Sequence, residues 1–239
     1  ISGKATIRIL FKSNDSRQIR LDLIKKTAER SGKGMLVESV MYNNVKVDFK
    51  HQQDALFIQL AAPAEKEKIS TVVIQYKGVP ADGLRIGPTK YGDRSFFNEN
   101  WPNRARHWLP TVDHPYDKAT SEFIVTAPVK YKVVSNGLLK EESQINKEFK
   151  LTHWKQSVPI SSWLYALGVG TGAQMDLLDV ITGGGGLALR VNDRAEAGEA
   201  AMQVLAHAAR PIAHGVVVEL GAGIDGVYPR RALDVVIGD

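Results

Sequence analysis

Short runs of alternating apolar and polar residues fill the first 171 positions of the chain. Residues 5–11 read A-T-I-R-I-L-F, and residues 19–23 read I-R-L-D-L. Because side chains alternate between the two faces of a strand, this period of two indicates strands with one buried face. The same pattern predicts further strands at 35–40, 45–49, 56–60, 71–76, 121–126, 131–134, 148–154 and 163–169.

Turn residues separate these runs at the short intervals that are typical of antiparallel sheets. Asn43-Asn44 lies between two of the runs, and Asn136-Gly137 predicts a hairpin, since Asn-Gly accepts a positive φ at both central positions. The nearest helical candidate, residues 22–30, competes poorly with this interpretation. Residues 1–171 are therefore predicted to be mainly β, as an antiparallel β sandwich or saddle.

The character of the chain changes in residues 172–239, which contain no lysine and are rich in Gly and Ala. Asp193 and Glu196 form the capping-box pattern of a helix N-terminus. The predicted order is strand, helix, strand and strand, at 187–191, 193–209, 216–220 and 233–237. We interpret this part as a short, incomplete α/β segment, either the beginning of a second domain or a chimeric join.

Composition removes several classes of function. The chain has no cysteine, which excludes disulfides, thiolate metal sites and a cysteine nucleophile. The net charge of +5 divides into +9 for residues 1–171 and −4 for 172–239. The basic residues are scattered along the predicted strands, so we expect solvated strand faces and no nucleic-acid partner.

Two further expectations concern location. No apolar run is long enough to span a membrane, and the first residues lack a signal-peptide pattern. The protein is therefore expected to be cytoplasmic, or secreted or periplasmic with its leader already removed. A start within a predicted strand, at Ile1, favours a trimmed chain.

Residues 91–115 read Y-G-D-R-S-F-F-N-E-N-W-P-N-R-A-R-H-W-L-P-T-V-D-H-P. They resemble the N-terminal β domain of aminopeptidase N-like and leukotriene hydrolase-like zinc metallopeptidases, whose R-x-x-x-P-x-x-D-x-P turn matches Arg106, Pro110, Asp113 and Pro115. Segments that fit the same family follow in order at 121–128, 134–137, 149–154 and 158–168. Weaker matches at 228–229 and 233–236 imply that 172–239 begins the catalytic domain.

The catalytic motifs of that family are missing. Its chemistry requires H-E-x-x-H, which puts two zinc-binding histidines on one helix face beside a general base. None of the six histidines here has another four residues away, and no G-x-M-E-N segment occurs. We expect this chain to be inactive alone and to hold no cofactor, with zinc and the peptide substrate belonging to a catalytic domain that would follow Asp239.

The resemblance also implies a substrate-binding loop at 96–106, which in the family supplies a Glu or Gln to the free α-amino group of a peptide. Alignment on Arg106 places Trp101 at that position, and Glu99 would serve after a shift of register. A carboxylate binds an ammonium group by a charge-assisted hydrogen bond, whereas an indole offers only a cation–π contact. The candidates are therefore Glu99, Asn100 and Trp101; alternatively, Trp101 and Trp108 are simply core or interface aromatics.

Two other functions stay open. A stand-alone or chimeric β-sandwich binding module would have the same strands and no peptidase role. Residues 216–226 contain an apolar run followed by G-A-G-I-D-G, which resembles the first motif of methyltransferases that use S-adenosylmethionine. No helix clearly follows these glycines, which weakens a nucleotide-binding function. His207, His214 and Glu219 are not predicted to bind a metal, because Pro211 interrupts the helix between the two histidines.

Overall fold

A computed structural model describes residues 1–89 and 92–171, together with the backbone of one strand at 215–221. Fifteen strands are present in these residues, with two short 3-10 helices at Ala105–His107 and Ser162–Leu164. The strands are β1 Ser2–Leu10, β2 Gln18–Asp22, β3 Gly34–Tyr42, β4 Val45–Lys46, β5 Phe49–Gln52, β6 Ala55–Gln59, β7 Ile69–Val79, β8 Leu84–Pro88, β9 Arg94–Asn98, β10 Lys118–Pro128, β11 Tyr131–Ser135, β12 Leu138–Gln144, β13 Phe149–Ser161, β14 Leu167–Thr171 and β15 Gly215–Gly221.

The strands form three sheets. The largest has eight strands in the order β12-β13-β10-β15-β1-β7-β3-β4, a second has the order β11-β14-β9-β8, and the third has the order β2-β6-β5. The described strand pairs are antiparallel apart from β10 and β15, which run parallel. The prediction of a mainly β, antiparallel fold is confirmed.

One hydrophobic core is shared by all three sheets. Strand β10 shows how the sequence builds it, because every second side chain is buried, namely Ala119, Ser121, Phe123, Val125 and Ala127. Fully burying a Val or Phe side chain stabilises a protein by about 1.5–3 kcal/mol. A slip of one residue would turn this whole set toward the opposite face, so the apolar alternation also fixes the register.

Several predicted elements are wrong in detail. The single strand predicted at 45–49 is two strands, β4 and β5, which belong to different sheets. The strand predicted at 163–169 begins only at Leu167, because Ser162–Leu164 form a 3-10 helix. Residues 22–30 contain turns and an isolated bridge between Lys25 and Met35 instead of a helix. Strands β8, β9 and β12 were not predicted.

The turn at Asn43-Asn44 is confirmed, whereas the hairpin predicted at Asn136-Gly137 is wrong. Strand β11 pairs with β14 in one sheet and β12 pairs with β13 in another, so the chain changes sheets at this turn. Of its two central residues, only Gly137 has a positive φ, 81°. A Cβ on Gly137 would lie 2.0 Å from the carbonyl oxygen of Lys155, so glycine also permits close packing against β13.

In the second part of the chain, the strand predicted at 216–220 is confirmed as β15, whose backbone lies between β1 and β10. The predicted strands at 187–191 and 233–237, the helix at 193–209 and the glycines after Gly221 lie outside the described residues. The domain boundary at 171 stays a prediction. Within the described part of the chain, no helix is long and apolar enough to cross a membrane.

Candidate functional site

The predicted loop lies between strand β9, which ends at Asn98, and the 3-10 helix that begins at Ala105. After this helix the chain passes through the turn that contains Pro110 and Asp113, and then enters β10. The loop therefore leaves one sheet and leads to another. Its conformation is set by contacts at both ends and by residues 162–167.

Arg106 and Asp113 hold the turn that follows the loop. The backbone N–H and Nε of Arg106 donate hydrogen bonds to Asp113 Oδ2, at 3.2 and 3.1 Å. Asp113 Oδ1 accepts a bond of 2.6 Å from Ser162 Oγ, and Asp22 Oδ2 accepts one of 3.1 Å from the Asp113 backbone N–H. The Asp113 carboxylate is fully buried, so these donors replace the water that it loses.

Asn100 is bonded on every side by the protein. Its Nδ2 donates to the carbonyl oxygens of Ser162 and Tyr165, both at 3.1 Å, and its Oδ1 accepts from Trp108 Nε1 at 2.9 Å. The residue is 2% exposed. Because both amide hydrogens and the oxygen are engaged and buried, this arrangement positions the loop and leaves no group of Asn100 facing solvent.

Asn98 makes a second connection to the same segment. Its Nδ2 donates to the carbonyl oxygen of Tyr165, and its Oδ1 accepts from the backbone N–H of Leu167. Two buried asparagines on either side of Glu99 thus bind the backbone at 162–167. Replacing either partner would leave buried polar groups unpaired, which makes this part of the loop stiff.

Glu99 lies in a cluster of four charged side chains. Its Oε2 accepts hydrogen bonds from Arg104 Nη1 at 2.8 Å and from Arg85 Nη2 at 3.2 Å. Arg104 also pairs with Asp82 through Nε, at 3.3 Å, and the backbone N–H of Glu99 donates to the Gly83 carbonyl oxygen at 2.8 Å. The two carboxylates and two guanidinium groups have no net charge together, so the negative charge of Glu99 is neutralised by partners within the protein.

Trp101 differs from its two neighbours because its side chain faces solvent. It is 59% exposed and stacks on Trp163, with ring centroids 4.5 Å apart and an interplanar angle of 30°. Trp108, by contrast, is fully buried and stacks on Phe123. The interpretation of Trp108 as a core residue is therefore confirmed, while Trp101 is presented at the surface.

The structure brings Glu99, Asn100 and Trp101 together in one loop but gives them different surroundings. Sequence reasoning missed Asn98 and Trp163, which hold and extend this loop. For Asn98, a polar residue that ends the apolar run Phe96-Phe97 was the available signal. Trp163 lies 62 positions from Trp101, and the pattern of the chain contains no signal for their contact.

Two histidines near these elements predict a dependence of stability on pH. Burial, the largest cause, lowers the pKa of His107 and of His51 below the ordinary value of 6.5. The unfolded chain therefore binds more protons than the folded chain just below pH 6.5, and stability falls as the pH drops through that range. We expect the urea midpoint to decrease from pH 7 to pH 5.

The double variant His51→Gln, His107→Gln should have a smaller decrease over the same pH range. Urea titrations at half-unit pH intervals, followed by circular dichroism, measure both chains in parallel. An unchanged slope in the double variant would show that other groups cause the pH dependence.

The described residues contain no group of three or more His, Asp or Glu side chains that could hold a metal ion. The charged side chains beside the loop pair with one another, since Glu99 pairs with Arg85 and Arg104. The loop therefore has a backbone held by buried hydrogen bonds and one exposed indole, and it has no set of metal ligands.

Comparison with known sequences identifies relatives of the chain. The model of the Peptidase M1 N-terminal domain matches residues 1–164. Leucine aminopeptidase 2 of Neurospora crassa is 29% identical over 121 residues, which cover 47% of this chain and 18% of that protein. Glutamyl aminopeptidase of Homo sapiens is 32% identical over 68 residues, which cover 28% of this chain and 7% of that protein.

Solved structures share the fold. The M1 zinc metallopeptidase of Deinococcus radiodurans is 26% identical, with a TM-score of 0.59, over 71% of this chain and 37% of that chain. Yeast LTA4 hydrolase is 21% identical, with a TM-score of 0.55, over 71% of this chain and 26% of the hydrolase chain. At this identity the comparison shows only that the fold is shared. This chain spans well under half the length of these relatives. Because the family model covers residues 1–164, more than half of the sequence, the chain belongs to the Peptidase M1 N-terminal domain family.

Proposed function

We propose that this chain is the non-catalytic N-terminal portion of a zinc aminopeptidase, where it supports the catalytic domain and lines the site that receives a peptide N-terminus. The observation that carries the proposal is the loop at 99–101, in which Glu99 and Asn100 are held by hydrogen bonds within the protein while the Trp101 side chain is exposed. The match to the Peptidase M1 N-terminal domain over residues 1–164 supports the same role.

The three loop residues have different proposed roles. Trp101 contacts substrate, because it is the one of the three with more than half of its surface exposed. Asn100 is a positioning residue, since its amide is bonded to the backbone at 162 and 165 and to Trp108. Glu99 positions Arg85 and Arg104, and its paired carboxylate is poorly suited to receive a substrate ammonium group.

Zinc does not fit the described part of this chain, because no three potential ligand side chains converge there. The relatives named as zinc metallopeptidases are longer, and this chain spans 37% of the Deinococcus radiodurans protein. We therefore assign no catalytic step to these residues. The metal and the general base belong to a part of the parent enzyme that the described residues do not include.

A peptide is the proposed substrate. One crystal structure of the Deinococcus radiodurans peptidase, of a mutant form, is a complex with a Tyr-Ser-Ala substrate. A peptide of this kind carries a free α-amino group. By analogy, the parent of this chain would act on the amino-terminal end of peptides, with the loop at 99–101 beside the first residue.

A domain exchange tests the proposal. The full 239-residue chain, which supplies β15 between β1 and β10, replaces the matching β domain of the Deinococcus radiodurans peptidase, and zinc content and leucyl-anilide hydrolysis are measured. We expect the chimera to bind one zinc and turn over, whereas the same peptidase without a β domain and the 239-residue chain alone do not turn over. A folded, zinc-loaded but inactive chimera would favour a stand-alone β-sandwich binding module, and turnover by the 239-residue chain would contradict a non-catalytic role.

A further inference from the structure

Strand β15 lies in the middle of the eight-stranded sheet, although it comes last among the described strands. All seven of its residues are paired on both sides, antiparallel to residues 2–8 of β1 and parallel to residues 120–126 of β10. Strands β1 and β10 are not neighbours of each other in this sheet. They therefore form the two walls of a slot that one extended segment of seven residues fills.

Each wall of this slot is also held by a strand on its other side. Eight residues of β1 pair with β7, and ten residues of β10 pair with β13. Buried side chains of both walls, Ala5 and Ile7 on β1 and Phe123 and Val125 on β10, belong to the shared hydrophobic core. Because these pairs are independent of β15, both walls keep a bonded neighbour when β15 leaves the slot.

The slot recognises an extended backbone. When a segment adds to a sheet, main-chain hydrogen bonds supply much of the affinity. An empty slot would expose the unpaired N–H and C=O groups of two strand edges, which are ready to pair with another chain. A strand with the sequence of β15 is therefore strongly favoured in the slot, whichever chain it comes from.

The connection to β15 does not determine which copy of the chain supplies the strand. Forty-three residues, 172–214, separate the end of β14 at Thr171 from Gly215. Fully extended, a segment of that length spans on the order of 140 Å, whereas a sheet of eight strands is roughly 35 Å wide. The segment is thus long enough to reach the slot of a second copy as well as its own.

We propose that the slot between β1 and β10 is an interface for a second copy of this chain, in which each copy inserts its β15 into the slot of the other. The strand pairs are the same within one copy and between two, so the exchange loses no contacts. A linker gives β15 an effective concentration at its own slot of about millimolar order, so the exchanged dimer forms as the protein concentration approaches that value. This inference is independent of the proposed function.

The competing interpretation is that β1 and β10 close on each other once β15 leaves. The two walls run antiparallel, since β15 is antiparallel to β1 and parallel to β10, so direct pairing between them is sterically permitted. A closed slot would bind no strand from another molecule. An open slot would take the β15 of a second copy, or a free peptide with the same sequence.

Disulfide trapping tests the exchange in the full 239-residue chain, which has no cysteine of its own. Thr6 of β1 and Val217 of β15 are directly opposite each other. Opposite residues of an antiparallel pair have the Cα separation that a disulfide requires. One chain carries Thr6→Cys and a second chain carries Val217→Cys, so a specific disulfide between them forms when the β15 of one copy enters the slot of the other. The matched control replaces Thr6→Cys with Val129→Cys, at an exposed position just after β10.

The two chains are mixed in urea, diluted into oxidising buffer and separated on a non-reducing gel. At a total protein concentration of about 500 µM, we expect the yield of heterodimer to exceed that of the control pair by about 10-fold, and to fall by about 10-fold at about 5 µM. A yield no higher than that of the control pair at either concentration would overturn the exchange.

A second measurement separates an open slot from a closed one. Proline removes a backbone N–H and is confined to the edges of sheets, so Val217→Pro should displace β15, whereas Val217→Ala should leave it in place. The probe is a fluorescein-labelled peptide of residues 214–222, and its binding is followed by fluorescence anisotropy. It should bind Val217→Pro about 10-fold more tightly than Val217→Ala, because only the first variant has an empty slot.

Nuclear magnetic resonance of the ¹⁵N-labelled chains checks that both variants are folded. The Trp154 indole N–H donates to the Val133 carbonyl oxygen and so reports the contact between β13 and β11. Equal binding of the peptide to two folded variants would overturn the open slot. If Val217→Pro does not fold, the disulfide yields alone decide the proposal.

Discussion

Replacing Asp113 with alanine should lower the free energy of unfolding by about 3–5 kcal/mol. The carboxylate is fully buried and receives bonds from Arg106, through its backbone N–H and Nε, and from Ser162 Oγ. Alanine removes the acceptor and leaves three donors without partners. Removing one member of a buried ion pair costs more than the pair contributes, and Arg106 would be left with its longer carboxylate contact, of 3.5 Å, to Asp22.

Urea unfolding of the full chain, followed by circular dichroism, measures this change. Asp113→Asn should fall between the parent and the alanine variant, since the amide keeps one oxygen acceptor but loses the charge. Glu65→Gln is the matched control for a lost charge at the surface, where Glu65 pairs with Lys68 and both side chains are largely exposed. It should leave the midpoint unchanged. A loss below about 1 kcal/mol for Asp113→Ala would contradict the role of the network.

This network explains why the motif was a dependable signal in the sequence. Arg106 and Asp113 are seven residues apart and bond one another directly, so the spacing in the sequence is the spacing of a local structure. Strand β10 was predictable for a similar reason, because its alternation follows from burial of one face. Features set by residues close in the chain were thus recognised from the pattern alone.

Strands β8, β9 and β12 were missed because their residues lack that pattern. Strand β8 reads L-R-I-G-P, in which glycine and proline favour a turn, and β12 reads L-L-K-E-E-S-Q with almost no buried side chain. An edge strand whose two faces are both exposed to solvent needs no alternation of apolar and polar residues. It forms because its backbone pairs with the next strand, β13, across a turn in which Asn146 Oδ1 accepts bonds from the backbone N–H groups of Glu148 and Phe149, and this pairing needs no buried side chains.

The sequence predicted which segment forms the candidate site, but it did not predict how the side chains of that segment are arranged. The family resemblance indicated the loop and its three residues, whereas the roles of Asn100 and Trp101 depend on partners more than 60 positions away. Asn100 is bonded to residues 162 and 165, and Trp101 stacks on Trp163. These contacts follow from how two sheets bring separate loops together, so only the fold reveals which residue is buried and which is presented.

Replacing Trp108 with alanine is expected to destabilise the chain by about 3–5 kcal/mol and also to loosen the candidate loop. Trp108 is fully buried against Phe123, and its Nε1 donates to Asn100 Oδ1 at 2.9 Å. Alanine leaves a large cavity and removes this bond. Because Asn100 holds the backbone beside Trp101, the Trp101 indole should become more mobile, seen as broadening of its N–H signal.

Trp108→Phe separates the two effects, since it keeps an aromatic ring in the core but leaves Asn100 Oδ1 without a donor. Its cost should be about 1–3 kcal/mol, and the Trp101 signal should still broaden. Trp154→Phe is the matched control, because it loses an indole bond of the same kind, to Val133, that has no contact with the loop. Broadening of the Trp101 signal in Trp108→Phe but not in Trp154→Phe would show that the hydrogen bond from Trp108 to Asn100 restrains the motion of the exposed Trp101 indole. Equal sharpness in both variants would mean that stacking on Trp163 suffices to hold Trp101.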